Sequence, residues 1–156
     1  MTDKSEAGRA KTMAGQGIAN RVVRGLLRTP GLNRAVGGRL VTLYVTGRKS
    51  GRQYTVPVAY TRQDGALLVG TPFGWGRNLR TGDPVEILLQ GRRRLADVEA
   101  FTDEPGVTRL YAIMCRDNKA FANFNKVSMG PDGEPAPADL HAAWAAGARA
   151  FRLSPR

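Results

Sequence analysis

Residues 40–60 read LVTLYVTGRKSGRQYTVPVAY and carry the strongest structural signal in the chain. The β-branched and aromatic residues at 40–46 predict a strand, and residues 54–60 predict a second one. The segment 47–51 lies between them with a glycine at each end, which is typical of a tight turn. Pro57 has no N–H to donate to a neighbouring strand, so we expect it on an edge strand or at a bulge.

Four further strands and two helices are predicted beyond this hairpin. Gln63-Asp64-Gly65 is a favourable hairpin turn, and residues 91–94 are expected to form another. The remaining predicted strands cover residues 66–70, 85–89, 95–101 and 150–153. One helix is expected to begin at Thr102 or Asp103 and to reach residue 115, and a shorter one covers 140–148. This pattern predicts a mainly β protein with flanking helices, folded as a small antiparallel barrel of about six strands.

The N-terminal part of the chain differs in character from the rest. Residues 1–15 are polar and small, and we expect a disordered tail there. Residues 16–39 are expected to be a basic helical segment, because apolar residues at 18–27 recur every three or four positions with arginines between them. The barrel domain is expected over residues 40–156.

The chain is strongly basic, and the excess charge is local. It has 156 residues, the size of one domain, with 24 Lys and Arg against 13 Asp and Glu and a net charge of +11. Residues 1–52 hold 11 basic and 2 acidic side chains, so they alone carry a net charge of +9. Such a patch attracts a polyanion: nucleic acid, an anionic membrane surface or a multiply charged small ligand.

A single cysteine and a single histidine exclude several kinds of site. Cys115 alone cannot form an intramolecular disulfide or a zinc site built from several thiolates. His141 alone argues against a histidine-based metal centre and against a Ser-His-Asp arrangement, so no metal is expected. His141 lies in a predicted helix, and we expect a structural role for it. No apolar run approaches the roughly 20 residues of a membrane span and no signal peptide is recognised, so the protein is expected in the cytoplasm.

Two loops carry groups suited to a flat, anionic ligand. In the turn, Arg48, Lys49 and Ser50 offer charge-assisted hydrogen bonds to phosphate oxygens, and the flanking glycines allow a close approach of the backbone. In the second loop, Trp75 offers aromatic contact with a planar heterocycle and Asn78 offers amide hydrogen bonds. Each loop also has a plainer interpretation: the turn as a solvated hairpin tip, Trp75 as a cover for the barrel core and Asn78 as the cap of a helical turn.

Residues from about 40 to 102 resemble the deazaflavin-dependent nitroreductase family. The resemblance rests on Thr46-Gly47-Arg48-Lys49-Ser50-Gly51, Pro57, Asp64-Gly65, Trp75 and Asn78-Leu79. It implies the flavin-binding split barrel of the pyridoxamine-phosphate-oxidase-like superfamily. It also implies an oxidoreductase that transfers a hydride from reduced coenzyme F420, an 8-hydroxy-5-deazaflavin, to a quinone-like or nitro acceptor.

The resemblance further implies a cofactor site and a substrate site. The basic turn would bind the phosphate of the coenzyme, and the second strand, the end of the next long strand and the following loop would line the ring. The cofactor residues are then Arg48, Lys49, Ser50, Tyr54, Thr55, Val56, Pro57, Val58, Gly70, Thr71, Pro72, Trp75 and Asn78. The acceptor would lie against Tyr111, Asn118, Phe121, Asn123 and Phe124. No catalytic acid or base is identified, because the coenzyme itself supplies the hydride.

Two departures from the family pattern keep FMN as an alternative cofactor. Tyr54 stands where relatives often carry a basic residue. The compact Pro72-Phe73-Gly74 stands where many relatives have a longer basic loop. Both changes weaken the grip on the glutamate tail that the deazaflavin coenzyme carries, and FMN lacks that tail.

The sequence also leaves other functions and partners open. One alternative is a non-catalytic protein that binds deazaflavin or FMN. Another is a basic nucleic-acid-binding barrel, with Arg92, Arg93 and Arg94 along a phosphate backbone. Nucleic acid is not the expected partner, because aromatic residues make up only 7% of the chain and do not interleave with the basic strands. The expected partner is a small-molecule electron acceptor. Peripheral membrane contact through residues 18–28 would be compatible with that partner. The protein is expected to be either a monomer or a homodimer.

Overall fold

The computed structural model of the protein describes residues 39–156. The strands are β1 (Leu40–Thr46), β2 (Gln53–Ala59), β3 (Thr61–Gln63), β4 (Ala66–Thr71), β5 (Val85–Leu89), β6 (Arg92–Phe101) and β7 (Arg149–Pro155). The helices are α1 (Glu104–Asp117), α2 (Lys119–Phe124) and α3 (Pro137–Ala145), and a 3₁₀ helix covers Gly74–Asn78. The predicted tail at 1–15 and the predicted helix at 18–27 lie outside the described residues.

All seven strands form one antiparallel sheet in the order β2-β1-β5-β6-β7-β4-β3. The edge strands β2 and β3 are consecutive in the chain, and only the buried Tyr60 separates them. The sheet therefore curls until its two edges approach, which gives the predicted barrel. Pro57 lies in β2, which is an edge strand of the sheet, so the expectation of an edge position is confirmed.

Two hydrophobic cores lie on the two faces of the curled sheet. The inner core is built by alternate strand residues such as Leu43, Ile87 and Phe151, all fully buried. The outer core lies beneath α1 and α3, where Leu110 and Leu68 pack together in one cluster. Strand β4 faces both cores, which explains why its residues are apolar at consecutive positions rather than at alternate ones.

A carboxylate at the end of α1 links two distant strands. Asp117 accepts a hydrogen bond from the Thr61 hydroxyl of β3 at 2.8 Å. The same carboxylate forms an ion pair with Arg39, which lies immediately before β1. Since β1 lies next to one edge of the sheet and β3 forms the other edge, this shared acceptor helps to hold the curled sheet.

The helix that follows β6 begins and ends as its sequence requires. Asp103 is the N-cap of α1, and its side chain accepts from the Gly106 amide at 3.3 Å. The predicted start of this helix is confirmed, and it continues two residues beyond the predicted end at Cys115. Asn118 then ends α1 and caps α2, so the two helices follow each other without a loop.

The structure differs from the predicted elements in three main respects. The sheet has seven strands rather than about six, because the three-residue β3 precedes the Asp64-Gly65 turn and is too short to show a period. Arg92, Arg93 and Arg94 lie in β6 rather than in a turn, because Gln90 and Gly91, with φ of 51° and 81°, form a two-residue turn by themselves. The last helix covers residues 137–145 rather than 140–148, since a proline occupies its first turn.

Among residues 39–156, no helix combines the length and the apolar character that crossing a membrane requires.

We expect Gly70→Ala to destabilise the fold. A Cβ atom at Gly70 would lie 2.6 Å from Cε1 of Tyr111, whose ring is fully buried and cannot move away. Such overpacking costs about 1–3 kcal/mol of unfolding free energy, which urea titration measures. Gly74→Ala is the matched control, because a Cβ there meets nothing within 4 Å. Equal stabilities of the two variants would contradict the close packing of Tyr111 on β4.

Candidate functional site

The basic turn between β1 and β2 is fixed by its own hydrogen bonds. The Gly47 amide donates to the Arg52 carbonyl at 2.8 Å, and the Gly51 amide donates to the Gly47 carbonyl at 2.9 Å. The Ser50 hydroxyl oxygen accepts from the Arg52 amide at 3.1 Å. Gly51 has a φ of +69°, a conformation that favours glycine. The turn therefore has a defined shape before any ligand binds.

Donors in this turn are left without acceptors in the described part of the chain. Within residues 39–156, the side chains of Arg48 and Lys49 form no ion pair, and the backbone N–H groups of Lys49 and Ser50 donate to no acceptor. Some arginines of the sheet are paired with a carboxylate nearby, as in the Arg93–Glu86 pair at 2.9 Å. Two cations, two amides and a hydroxyl thus form a compact donor set for an anion.

Asn78 connects this turn to the second candidate loop. Its Oδ1 accepts from the Arg48 amide at 3.0 Å, and its Nδ2 donates to the Tyr54 hydroxyl at 2.7 Å. Nδ2 also donates to the Trp75 carbonyl at 3.1 Å within the 3₁₀ helix. The two loops that the sequence analysis singled out are therefore in direct contact, through the amide of one asparagine.

Tyr54 keeps its phenol proton at neutral pH. Burial raises the pKa of this half-buried phenol, and the hydrogen bond from Asn78 opposes the rise without cancelling it. The Tyr54 oxygen accepts from Asn78, and its own O–H has no acceptor among residues 39–156. Tyr54 therefore presents an oriented hydrogen-bond donor beside the basic turn.

Trp75 is a core residue rather than a surface of the site. Its indole is only 4% exposed and stacks on Phe151, with ring centroids 6.5 Å apart. The Nε1 donor has no partner in the described part of the chain. The plainer interpretation of Trp75, as a cover for the barrel core, matches this position, and Trp75 shapes the loop from beneath.

The other predicted cofactor residues divide by strand face. Val56 lies in the inner core opposite Leu43, while Tyr54 and Val58 share its face and are partly buried. Thr55 and Pro57 alternate with them and lie on the outer face of β2. At the end of β4, Gly70 lies under the Tyr111 ring, Thr71 is buried and Pro72 is exposed.

An open cleft of about 640 Å³ is lined by residues of the turn and by Asn78. Its lining includes Arg48 and Asn78 together with Tyr44 and Arg80, which the sequence analysis missed. Tyr44 lies in β1 with its side chain on the outer face of the sheet, and Arg93 stacks on its ring at 4.2 Å. This outward position explains why an aromatic residue of a strand lines a surface cleft. No local signal marks Arg80, because its place depends on the path of the loop before β5.

The predicted substrate residues separate into buried and exposed groups. Tyr111 is fully buried, and burial raises the pKa of its phenol well above the ordinary value. Asn118 is buried too, and its Oδ1 caps α2 by accepting from the Ala120 and Phe121 amides. Asn123 and Phe124 are exposed. Only the end of α2 is thus directly available to a ligand from solvent.

An aromatic contact that the sequence did not indicate joins α2 to the second loop. The rings of Phe73 and Phe124 meet edge to face, with centroids 6.0 Å apart and an interplanar angle of 64°. One turn earlier in α2, Phe121 packs against Tyr111 in the same manner at 5.0 Å. The predicted cofactor loop and the predicted substrate segment are therefore neighbours in space.

Neither of the other chemically distinctive side chains belongs to this site. Burial raises the pKa of the Cys115 thiol to about 11, so it is not a thiolate at neutral pH. Nδ1 of His141 lies 2.6 Å from the carboxylate of Glu104, where it links the exposed surfaces of α3 and α1.

Comparison with known proteins adds one family match and several similar structures. A family model described as F420H(2)-dependent quinone reductase matches residues 23–130. No curated protein matches the chain in sequence.

Several solved structures are similar over most of the chain, including the following three. The first is a candidate pyridoxamine 5′-phosphate oxidase from Listeria innocua, with 9% identity, a TM-score of 0.48 and coverage of 81% of this chain and 92% of that one. A pyridoxamine 5′-phosphate oxidase-related, FMN binding protein from Nostoc punctiforme has 13% identity, a TM-score of 0.48 and coverage of 86% and 78%. A FAD-binding protein from Mesorhizobium loti has 19% identity, a TM-score of 0.42 and coverage of 83% and 91%.

We expect Asn78→Ala to release the basic turn from the second loop. The variant loses three hydrogen bonds, and the net loss in unfolding free energy should be about 1–3 kcal/mol. Hydrogen exchange of the Arg48 amide, which donates to Asn78 in the native protein, should become markedly faster. Asn123→Ala is the control, since this exposed side chain makes no hydrogen bond in the described part of the chain. Unchanged exchange at Arg48 would show that Asn78 does not hold the turn.

Proposed function

Because the chain belongs to the F420H(2)-dependent quinone reductase family, we propose that it transfers a hydride from reduced coenzyme F420 to a quinone-like or nitro acceptor. The family indicates an oxidoreductase, and the choice of acceptor is the finer part of the proposal. The observation that carries the proposal is the bond from the Arg48 amide to Asn78, which unites an anion-binding turn with the loop beside the aromatic end of α2.

The donor set of the turn suits the phosphodiester of this coenzyme. Arg48 and Lys49 supply positive charge, and the Lys49 and Ser50 amides supply directed donors without partners among residues 39–156. An anion placed there gains charge-assisted hydrogen bonds without breaking an ion pair of the described structure. FMN also carries a phosphate, so the same chemistry keeps FMN as the alternative cofactor.

We assign the remaining cofactor contacts to the residues that adjoin the turn. Tyr54 would donate its free O–H to the ligand, and Asn78 would keep that hydroxyl and the turn in place. The free edge of β2 at residues 54–58 and the segment 70–72 would line the ring, with Trp75 as support from the core. When bound, the coenzyme supplies the hydride from its reduced deazaflavin ring.

The acceptor would bind at the exposed end of α2. Phe124 and the half-buried Phe121 offer apolar surface, and Asn123 offers an amide to a quinone or nitro oxygen. Tyr111 and Asn118 would act from behind this surface, because one packs against Phe121 and the other caps the helix. Their task is to orient the acceptor and to exclude water from it.

The basic residues of β6 favour this proposal over a nucleic-acid-binding barrel. Arg93 is held by Glu86 and by the Tyr44 ring, and Arg94 donates to the Arg156 carbonyl at 2.8 and 2.6 Å. Two of the three consecutive arginines are thus engaged within the protein. A continuous row of free cations, which would follow a phosphate backbone, is not available along this strand.

Titration of the purified protein with coenzyme F420 and with FMN, followed by fluorescence, tests the proposal. We expect micromolar or tighter binding of the deazaflavin and reduction of menadione by the reduced coenzyme. Binding of F420 without reduction of menadione or of a nitroimidazole would favour a carrier of the coenzyme. Binding of neither cofactor, with retention of a single-stranded oligonucleotide that salt releases steeply, would favour the nucleic-acid alternative.

We expect Arg48→Ala and Lys49→Ala each to weaken coenzyme binding. Loss of one charge-assisted contact costs about 1.5–3 kcal/mol, which corresponds to an increase in Kd of roughly 10- to 150-fold. Arg92→Ala is the matched control, because this exposed arginine also lies beside a hairpin turn, at the opposite end of β1. If Kd stays the same in both turn variants, the turn is only a solvated tip and the phosphate binds elsewhere.

A further inference from the structure

Phe73 has a fixed backbone beside the exposed end of α2. Its N–H donates to the Thr71 hydroxyl at 3.0 Å, and its carbonyl accepts from the Gly76 amide at 3.2 Å. Thr71 is itself buried, so the anchor of this loop lies inside the protein. Both backbone polar groups of Phe73 are therefore bonded, and its half-buried ring leaves part of its surface exposed.

Phe124 faces Phe73 from an equally well-defined element. The Asn125 amide and its side-chain Nδ2 both donate to the Phe121 carbonyl, at 3.1 and 2.9 Å, which fixes the last turn of α2. Phe124 is 36% exposed, and among the described residues only Leu95 is another large apolar side chain of such exposure. An exposed aromatic pair held by two rigid segments is a preorganised apolar surface, which is typical of a binding site.

The 3₁₀ helix connects this aromatic pair to the anion-binding turn. Asn78 is the last of the five residues of the 3₁₀ helix that follows Phe73, so five steps with a rise of about 2.0 Å each make the distance between them roughly 10 Å. Asn78 contacts the turn directly. A ligand on the aromatic pair and a cofactor phosphate at the turn would thus be held by opposite ends of one short loop.

From this arrangement we infer that Phe73 determines acceptor specificity. Phe73 and Phe124, whose rings touch edge to face, form one continuous aromatic surface against which a planar, uncharged acceptor lies, and we call this surface the aromatic clamp. The inference rests on the proposed function and names a residue and an acceptor class within it. The two ring faces attract a flat π-system by stacking and edge-to-face contact. Neither side chain carries a charge or a hydrogen-bonding group, so the clamp favours multi-ring quinones over small, polar nitro compounds.

Steady-state reduction of menadione, a two-ring quinone, by reduced F420 tests the clamp. We expect Phe73→Ala and Phe124→Ala each to raise the KM for menadione about tenfold with little change in kcat, because contacts made equally in the bound and transition states affect KM alone. Phe73→Leu should give an intermediate KM. The double variant should be less than additive, since each ring loses its partner when the other is removed.

The controls distinguish a loss of acceptor binding from a general loss of stability or of cofactor binding. Leu88→Ala removes a partly buried side chain from the outer face of β5, away from the loop, and should leave the KM unchanged. Kd for F420, measured by fluorescence, should remain at the wild-type value in Phe73→Ala, and the thermal unfolding midpoint should show that the variant is folded.

Two outcomes would overturn the inference, and they are distinguishable. If the wild-type protein binds F420 and reduces menadione but Phe73→Ala has the wild-type KM, the clamp is wrong and the proposed function stands. If the wild-type protein neither binds F420 nor reduces any quinone, the proposed function is wrong and the clamp is wrong with it.

Discussion

A connection of one residue between the two edge strands imposes the shape of the whole barrel. In a flat sheet of seven strands about 4.8 Å apart, the edge strands would be separated by roughly 29 Å. The two backbone steps through Tyr60 span at most about 7 Å. The sheet therefore has to curl until β2 and β3 approach each other, and the curled sheet encloses an interior that must be filled. The fully buried side chains of β1, β5 and β7 fill it.

The candidate site follows from the way in which this barrel is closed at one end. Strands β4 and β5 are consecutive among the strands, yet β7 and β6 lie between them in the sheet. The segment that joins them has to cross the barrel end, where it buries Trp75 and Leu79 in the inner core. Because this crossing ends beside β1, Asn78 arrives at the turn between β1 and β2 and bonds to Arg48. The burial of Trp75 and Leu79 thus determines where the hydrogen bond between Asn78 and Arg48 forms.

Local pattern was sufficient for most of the fold, whereas the site depends on contacts between distant residues. Strands β1 and β5 have the predicted bounds, and the edge position of Pro57 follows from its missing N–H. The burial of Asn118 could not be predicted, because a polar residue is usually exposed, and the burial of Trp75 was only one of two interpretations that its loop allowed. Phe73 carries no signal of its own, since its contact with Phe124 joins positions 51 residues apart in the chain. Residue types and the resemblance both indicated the two loops, but the contact between them depends on the fold and could not be read from either.

The ionisation states of the buried groups explain which part of the chemistry the protein itself performs. Tyr111 and Cys115 are the buried titratable groups nearest to α2, and burial raises the pKa of both, so neither carries charge at neutral pH. Tyr54 is likewise protonated and acts as a donor. A site of neutral donors, apolar rings and one cationic turn is suited to binding and orienting two partners rather than to proton abstraction. This is what hydride transfer requires of a protein when the cofactor carries the reactive atom, since the rate then depends on distance, alignment and the exclusion of water.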